Sequence, residues 1–192
     1  MNKKLIIGVD VDATLRKTLA RAVKPFAHLP MRLHAPESYH VPIINLGWVS
    51  EDATLDVIQA LVSVSAATQA MQGEFARITP SYKKKPIGGE VPDVRTASTL
   101  RLEGVPSEPL KDLYVDLLEE LNIPHAEVKK FAPHLVLGQM KKLQWEVLQK
   151  EDIPPLEVDF PFVLDISTLT LFEQTTENGK RVFMPLEIFE LS

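Results

Sequence analysis

The sequence predicts an α+β protein built mainly from antiparallel strands, and two observations lead to this prediction. Direct strand-to-strand connections outnumber the strand–helix–strand crossovers that a parallel sheet requires. The order of elements also repeats, because a strand that carries a histidine precedes a helix once in each half of the chain. No linker is long enough to separate independent domains, so we expect residues 1–192 to form a single unit.

The composition restricts the possible functions. The chain has 192 residues, of which 45% are hydrophobic and 24% charged, as in an ordinary globular protein. Its net charge of −5 does not favour polyanions, so any contact with nucleic acid has to come from a local basic patch. The lack of cysteine excludes disulfides and thiolate chemistry, which suits the cytoplasm. No apolar run approaches the roughly 18 residues of a membrane span.

In the first half, residues 4–11 form an apolar run typical of a buried strand. Residues 13–26 follow with helical spacing, and Asp12 is placed to cap that helix. Ser50 is similarly placed before a second helix. We expect strands at 4–11, 31–33, 39–49 and 74–81 and helices at 13–26 and 51–71.

In the second half, a loop at 83–93 combines three lysines with glycine and proline. An amphipathic helix follows at 107–121, and an Asn-Gly pair at 178–179 predicts a hairpin turn. We expect strands at 95–103, 134–140, 156–164, 168–173 and 181–189 and a short helix at 142–150.

Two histidines occupy matched local settings. His40 opens the apolar run Val41-Pro42-Ile43-Ile44-Asn45-Leu46-Gly47, and His134 opens the run Leu135-Val136-Leu137-Gly138. Two imidazoles on two such strands can face one cleft, one as general base and the other as general acid, because both titrate near neutral pH.

These two motifs, with the surrounding order of elements, resemble the two-histidine (2H) phosphoesterase superfamily. Within it they are most similar to the LigT-like 2'-5' RNA ligases and RNA 2',3'-cyclic phosphodiesterases. The first motif matches in His40, the hydrophobic residues and Leu46-Gly47; the second matches in Phe131, Pro133-His134 and the hydrophobic residues. The resemblance implies a bilobal fold in which two antiparallel sheets line a central cleft, with helices outside.

The resemblance also implies a function. His40 and His134 would be the catalytic residues, with His134 activating water and His40 protonating the leaving oxygen. The substrate would be an RNA end or a small nucleotide carrying a cyclic phosphate. We expect a cytoplasmic monomer that needs no metal or other cofactor and contacts no membrane.

The chain departs from the family in its two phosphate-holding hydroxyls. Pro42 and Val136 stand where the motifs have threonine, and neither can donate a hydrogen bond. Pro42 also lacks an N–H, which places its strand at a sheet edge or at an interruption. Substitute donors would be Asn45, Gln139, Tyr82 or a lysine of the 83–93 loop such as Lys83. The alternative is a degenerate relative that binds a nucleotide or an RNA end without catalysis.

A rival motif lies at the N-terminus. Residues 5–15 resemble the first motif of haloacid-dehalogenase-type phosphatases, with Asp10 as nucleophile, Asp12 as acid/base and Mg²⁺ balancing the charge. That fold needs a parallel sheet and a later acidic pair, which the scattered Asp152, Asp159 and Asp165 do not supply. Outside these motifs, His28, His34 and His125 lack metal-ligand spacing, and we expect them at the surface.

Overall fold

The computed structural model describes residues 2–82, 92–123, 131–177 and 180–192. The fold contains four helices and nine strands in these ranges, with several short 3₁₀ turns between them. The helices are α1 (Ala13–Val23), α2 (Glu51–Ala67), α3 (Glu108–Glu120) and α4 (Lys142–Glu146). The strands are β1 (Lys3–Asp10), β2 (Met31–Leu33), β3 (His40–Val49), β4 (Met71–Tyr82), β5 (Ala97–Gly104), β6 (His134–Met140), β7 (Val158–Ile166), β8 (Thr168–Glu177) and β9 (Lys180–Glu190).

The strands form two antiparallel sheets, which confirms the predicted fold class. One sheet has the order β3-β1-β8-β9, and the other has the order β2-β6-β5-β4-β7. The first His strand, β3, is the edge strand of the four-stranded sheet, and its register with β1 shifts next to Pro42, so both placements allowed for Pro42 occur. The second His strand, β6, belongs to the five-stranded sheet, so each sheet contributes one histidine.

Strand β1 is a central strand of the four-stranded sheet, and its residues 5–9 are all buried. It pairs antiparallel with both β3 and β8. Gly8 lies opposite Pro42, where a Cβ would approach the Val41 carbonyl oxygen to 2.6 Å. Glycine at this position therefore permits the close approach of β1 and β3 that positions the first histidine.

A single large apolar cluster joins the helices to both sheets. It includes Leu15 and Leu19 of α1, Leu61 of α2 and Leu113 and Leu117 of α3. These residues follow the helical spacing read from the sequence. Asp12 caps α1 by accepting from the backbone N–H groups of Thr14 and Leu15, and Ser50 caps α2 by accepting from Ala53.

Several boundaries differ from the sequence prediction. Helix α2 ends at Ala67, and β4 begins at Met71 instead of residue 74, because the intervening chain bonds to the C-terminus: the Ala70 N–H donates to the Ser192 carbonyl. β5 begins at Ala97 instead of residue 95, because Asp93 caps a 3₁₀ turn at Val94–Thr96. Helix α4 is shorter than predicted. The predicted turn at 178–179 and most of the 83–93 loop lie outside the described residues.

None of the helices in the described ranges is long and apolar enough to cross a membrane.

Candidate active site

The two histidines begin their strands and are held in the same way. Nδ1 of His40 lies 3.0 Å from the carbonyl oxygen of Ser38, and Nδ1 of His134 lies 3.2 Å from the carbonyl oxygen of Ala132. Each carbonyl belongs to the residue two positions before the histidine. Because a carbonyl oxygen only accepts, Nδ1 is the protonated nitrogen of each ring, and Nε2 is left to take up or release a proton.

One cavity of about 430 Å³ between the two sheets is lined by both histidines. Its volume falls in the range of small-ligand sites. The His40 side contributes Pro42 and Asn45, and the His134 side contributes Ala132 and two aromatic residues. Its lining consists of Ile6, His40, Pro42, Ile43, Asn45, Tyr114, Phe131, Ala132 and His134.

His40 is packed between aromatic rings and is almost fully buried. Its ring centroid lies 5.0 Å from that of Phe172 and 4.3 Å from that of Phe183. Burial lowers the pKa of His40 below its ordinary value; the Ser38 carbonyl and the Asp10 carboxylate oppose this effect, and His134 and Arg16 add to it. Asp10 lies opposite His40 in the β1–β3 register and pairs with Arg16.

His134 is partly buried beside an arginine and a glutamate of β5. Burial lowers its pKa, and the Ala132 carbonyl opposes this effect. Arg101 lowers the pKa further, whereas Glu103 raises it. Glu103 lies directly opposite His134, and Arg101 lies opposite Val136, so these side chains share one face of the sheet.

Arg101 is a candidate functional residue that the sequence analysis missed. Its guanidinium lies 3.2 Å from Glu103, while its Nε is buried without a hydrogen-bond partner. Strand alternation in 95–103 places Arg101 and Glu103 on one face. The sequence has no signal that pairs this strand with the strand of His134, because that pairing is a matter of sheet order.

Comparison with solved structures identifies the architecture. LigT of E. coli complexed with 3'-AMP superposes with a TM-score of 0.72 and 16% sequence identity, covering 100% of this chain and 98% of LigT. The chain has the LigT fold. TT0787 of Thermus thermophilus gives a TM-score of 0.68 at 19% identity, covering 98% of this chain and 97% of that protein. The PDE domain of MHV ns2 gives a TM-score of 0.53 at 14% identity, covering 90% of this chain and 99% of that domain.

No model of a known protein family matches the sequence, and no curated protein sequence matches it. The likeness therefore lies in the fold. The LigT structures include complexes with phosphate, NADP+ and ATP as well as 3'-AMP.

Among the predicted substitute donors in the described ranges, Asn45 lines the histidine cavity. Its Oδ1 accepts from the Gly47 N–H, where the backbone takes a positive φ of 71°, and this bond leaves the side-chain amide NH2 free to donate. Gln139 lines a different cavity with Arg95 and Lys142. Tyr82 packs at the margin of the core and is absent from the lining of the histidine cavity. Lys83 lies outside the described residues.

The LigT fold does not provide the parallel sheet that the phosphatase hypothesis needs. Asp10 ends a strand with antiparallel neighbours on both sides. Asp12 points its carboxylate at the start of α1, where it accepts two backbone N–H groups. Within the described ranges, no group of three His, Asp or Glu side chains could hold a metal ion.

The expectation that His34 is a surface residue was wrong. His34 is partly buried and lines a further cavity together with Arg32 and Arg181. His28 is exposed, as expected, and His125 lies outside the described residues.

Proposed function

We propose that this protein is a two-histidine phosphoesterase that opens 2',3'-cyclic phosphates on RNA ends or nucleotides. The observation that carries the proposal is the matched anchoring of His40 and His134. Each donates Nδ1–H to the carbonyl two residues before it, and both line one cavity. Such a pair leaves two Nε2 atoms for proton transfer, one as base and one as acid.

The assignment of base to His134 and acid to His40 follows the family resemblance. Burial lowers the pKa of both histidines; Asp10 partly offsets this at His40, while at His134 Arg101 adds to it and Glu103 opposes it. In this mechanism Nε2 of His134 takes a proton from water as the water oxygen bonds to phosphorus. One phosphorus–oxygen ester bond breaks, and Nε2–H of His40 protonates the departing ribose oxygen. The product is a phosphate monoester.

Beside Asn45 of the cavity lining, Arg101 is a candidate substitute for the missing phosphate-holding hydroxyls. It lies opposite Val136, on the sheet face that carries His134. A guanidinium donates charge-assisted hydrogen bonds to phosphoryl oxygens and needs no hydroxyl beside it. The partial pairing with Glu103 keeps the side chain near this face before substrate binds.

An aromatic pair at the cavity supports a nucleoside as the rest of the substrate. Tyr114 and Phe131 stack with ring centroids 5.0 Å apart and an interplanar angle of 16°. Both line the histidine cavity, so a base entering it meets an aromatic surface. The solved LigT complexes with 3'-AMP and ATP agree with a nucleotide ligand for this fold.

The deciding experiment incubates the protein with 2',3'-cyclic nucleoside monophosphates and with cyclic-phosphate-ended oligonucleotides in the presence of EDTA. We expect hydrolysis to the monoester that EDTA does not inhibit, because the mechanism uses only side chains. Activity that requires added Mg²⁺ and is lost in Asp10→Asn would contradict the proposal. Binding of the cyclic nucleotide without turnover would instead establish the second candidate function, a nucleotide- or RNA-end-binding protein, which the absence of hydroxyls at Pro42 and Val136 favours.

The assignment of acid and base gives a separate prediction. In Asp10→Asn, loss of the carboxylate lowers the pKa of His40, so the high-pH limb of the kcat/KM profile should move to lower pH. The low-pH limb, which reports His134, should stay in place. The matched control is Asp12→Asn, which keeps an oxygen to cap α1. Movement of the low-pH limb in Asp10→Asn would reverse the two roles.

A further inference from the structure

A second cavity, of about 210 Å³, lies where the end of β2 meets β8 and β9. Arg32 and His34 come from the β2 side, and Arg181 comes from β9. The proposed chemistry at His40 and His134 uses none of these three side chains. Together with Glu177, they are the polar side chains that line this cavity.

The cavity has a cationic lining. Neither Arg32 nor Arg181 forms an ion pair with any carboxylate in the part of the chain that the structure describes. Among the described residues that line the cavity, Glu177 is the single acidic group. Two arginines against one glutamate leave a net positive charge, although the protein as a whole carries −5. The site therefore attracts anions against the overall field of the protein.

His34 adds a neutral hydrogen-bonding group to the two arginines. Burial, with Arg181, Arg32 and His40 nearby, lowers the pKa of His34 to about 4. Its imidazole is therefore uncharged at neutral pH and offers one N–H donor. Its backbone is fixed by the bond from its N–H to the Leu137 carbonyl, at 2.8 Å.

The second cavity adjoins the histidine site. The charge of His40 contributes to lowering the pKa of His34, after burial and the two arginines. Arg181 lines the second cavity, and Phe183, which lies two residues further on the same face of β9, packs on the His40 ring. A ligand that reacts at His40 can therefore extend toward Arg32 and Arg181.

We propose that Arg32, His34 and Arg181 form a second phosphate subsite, which binds a phosphate group of the substrate other than the one that reacts. The preferred substrate then carries at least two phosphates, as an RNA end or a 5'-phosphorylated cyclic nucleotide does. The choice of substrate rests on the proposed function, whereas the binding of phosphate at this cavity does not.

Binding is tested first, without turnover. Inorganic pyrophosphate is titrated into the protein while the His34 imidazole signals are followed by NMR. We expect saturable shifts and a higher pKa for His34, because the anion offsets the charges of Arg32 and Arg181. Arg32→Gln and Arg181→Gln should each weaken binding by about tenfold, through loss of charge-assisted bonds. The control Arg21→Gln changes an exposed arginine on α1 and should leave binding unchanged.

Kinetics then test the substrate. A 2',3'-cyclic nucleoside monophosphate is compared with the same nucleotide carrying a 5'-phosphate. Arg32→Gln and Arg181→Gln should raise KM for the doubly phosphorylated substrate about tenfold more than KM for the other, with little change in kcat. Equal effects on KM for both substrates would overturn the subsite. So would pyrophosphate-induced shifts of the His34 signals that are the same in Arg32→Gln and Arg181→Gln as in the parent protein. If neither substrate turns over, the proposed catalysis fails and the titration alone decides the subsite.

Discussion

Replacing either His40 or His134 by asparagine is expected to lower kcat for cyclic-phosphate hydrolysis by about 10²- to 10⁴-fold. Asparagine keeps a polar side chain but cannot exchange a proton near neutral pH. The double variant should be little worse than the more damaging single variant, because both histidines act in one transition state. The measurement is steady-state hydrolysis in EDTA, with nucleotide binding measured in parallel.

The control for this experiment is His28→Asn, since His28 is exposed and lies outside the histidine cavity. Its kcat should match that of the parent protein. Thermal melting separates catalysis from folding, because His40 packs on Phe172 and Phe183 and its loss also affects stability. If the His40→Asn and His134→Asn proteins fold and retain full activity, the proposed acid–base mechanism is wrong.

Restoring the two missing hydroxyls is expected to raise activity. Pro42→Thr combined with Val136→Thr should increase kcat by at least roughly tenfold, a conservative fraction of the effect of oxyanion donors. Pro42 lines the histidine cavity, and Val136 follows His134 on the same face of β6. Expressed as activation free energy, the gain of the double variant should exceed the summed gains of the two single variants, because both hydroxyls would hold one phosphoryl group.

The control is Val163→Thr, which makes the same chemical change at an exposed position of β7. It should leave the rate unchanged. A well-folded double variant with the parent's activity would mean that other groups, such as Asn45 or Arg101, already hold the phosphate. In that case Arg101→Gln should lower activity in both the parent and the double variant.

The sequence determined the elements that depend on local pattern. The run at 134–140 coincides with β6, and the spacing of Leu15 and Leu19 correctly places the buried face of α1. The caps at Asp12 and Ser50 follow from the preference of their oxygens for unpaired N–H groups at a helix start. The missing N–H of Pro42 restricted β3 to a sheet edge or an interruption, and the structure has β3 at an edge. The similarity of the two histidine motifs could likewise be recognised from the sequence, because both motifs are short and local.

The tertiary structure alone decided what surrounds the histidines. Arg101 reaches the His134 face through the pairing of β5 with β6, and Gln139 faces another cavity although it is on the same strand as His134. His34 joins Arg32 and Arg181 because β2 and β9, far apart in sequence, meet at one end of the fold. Local periodicity specifies which face of an element is apolar. The neighbours across that face depend on sheet order and register, which are set by packing of the whole chain.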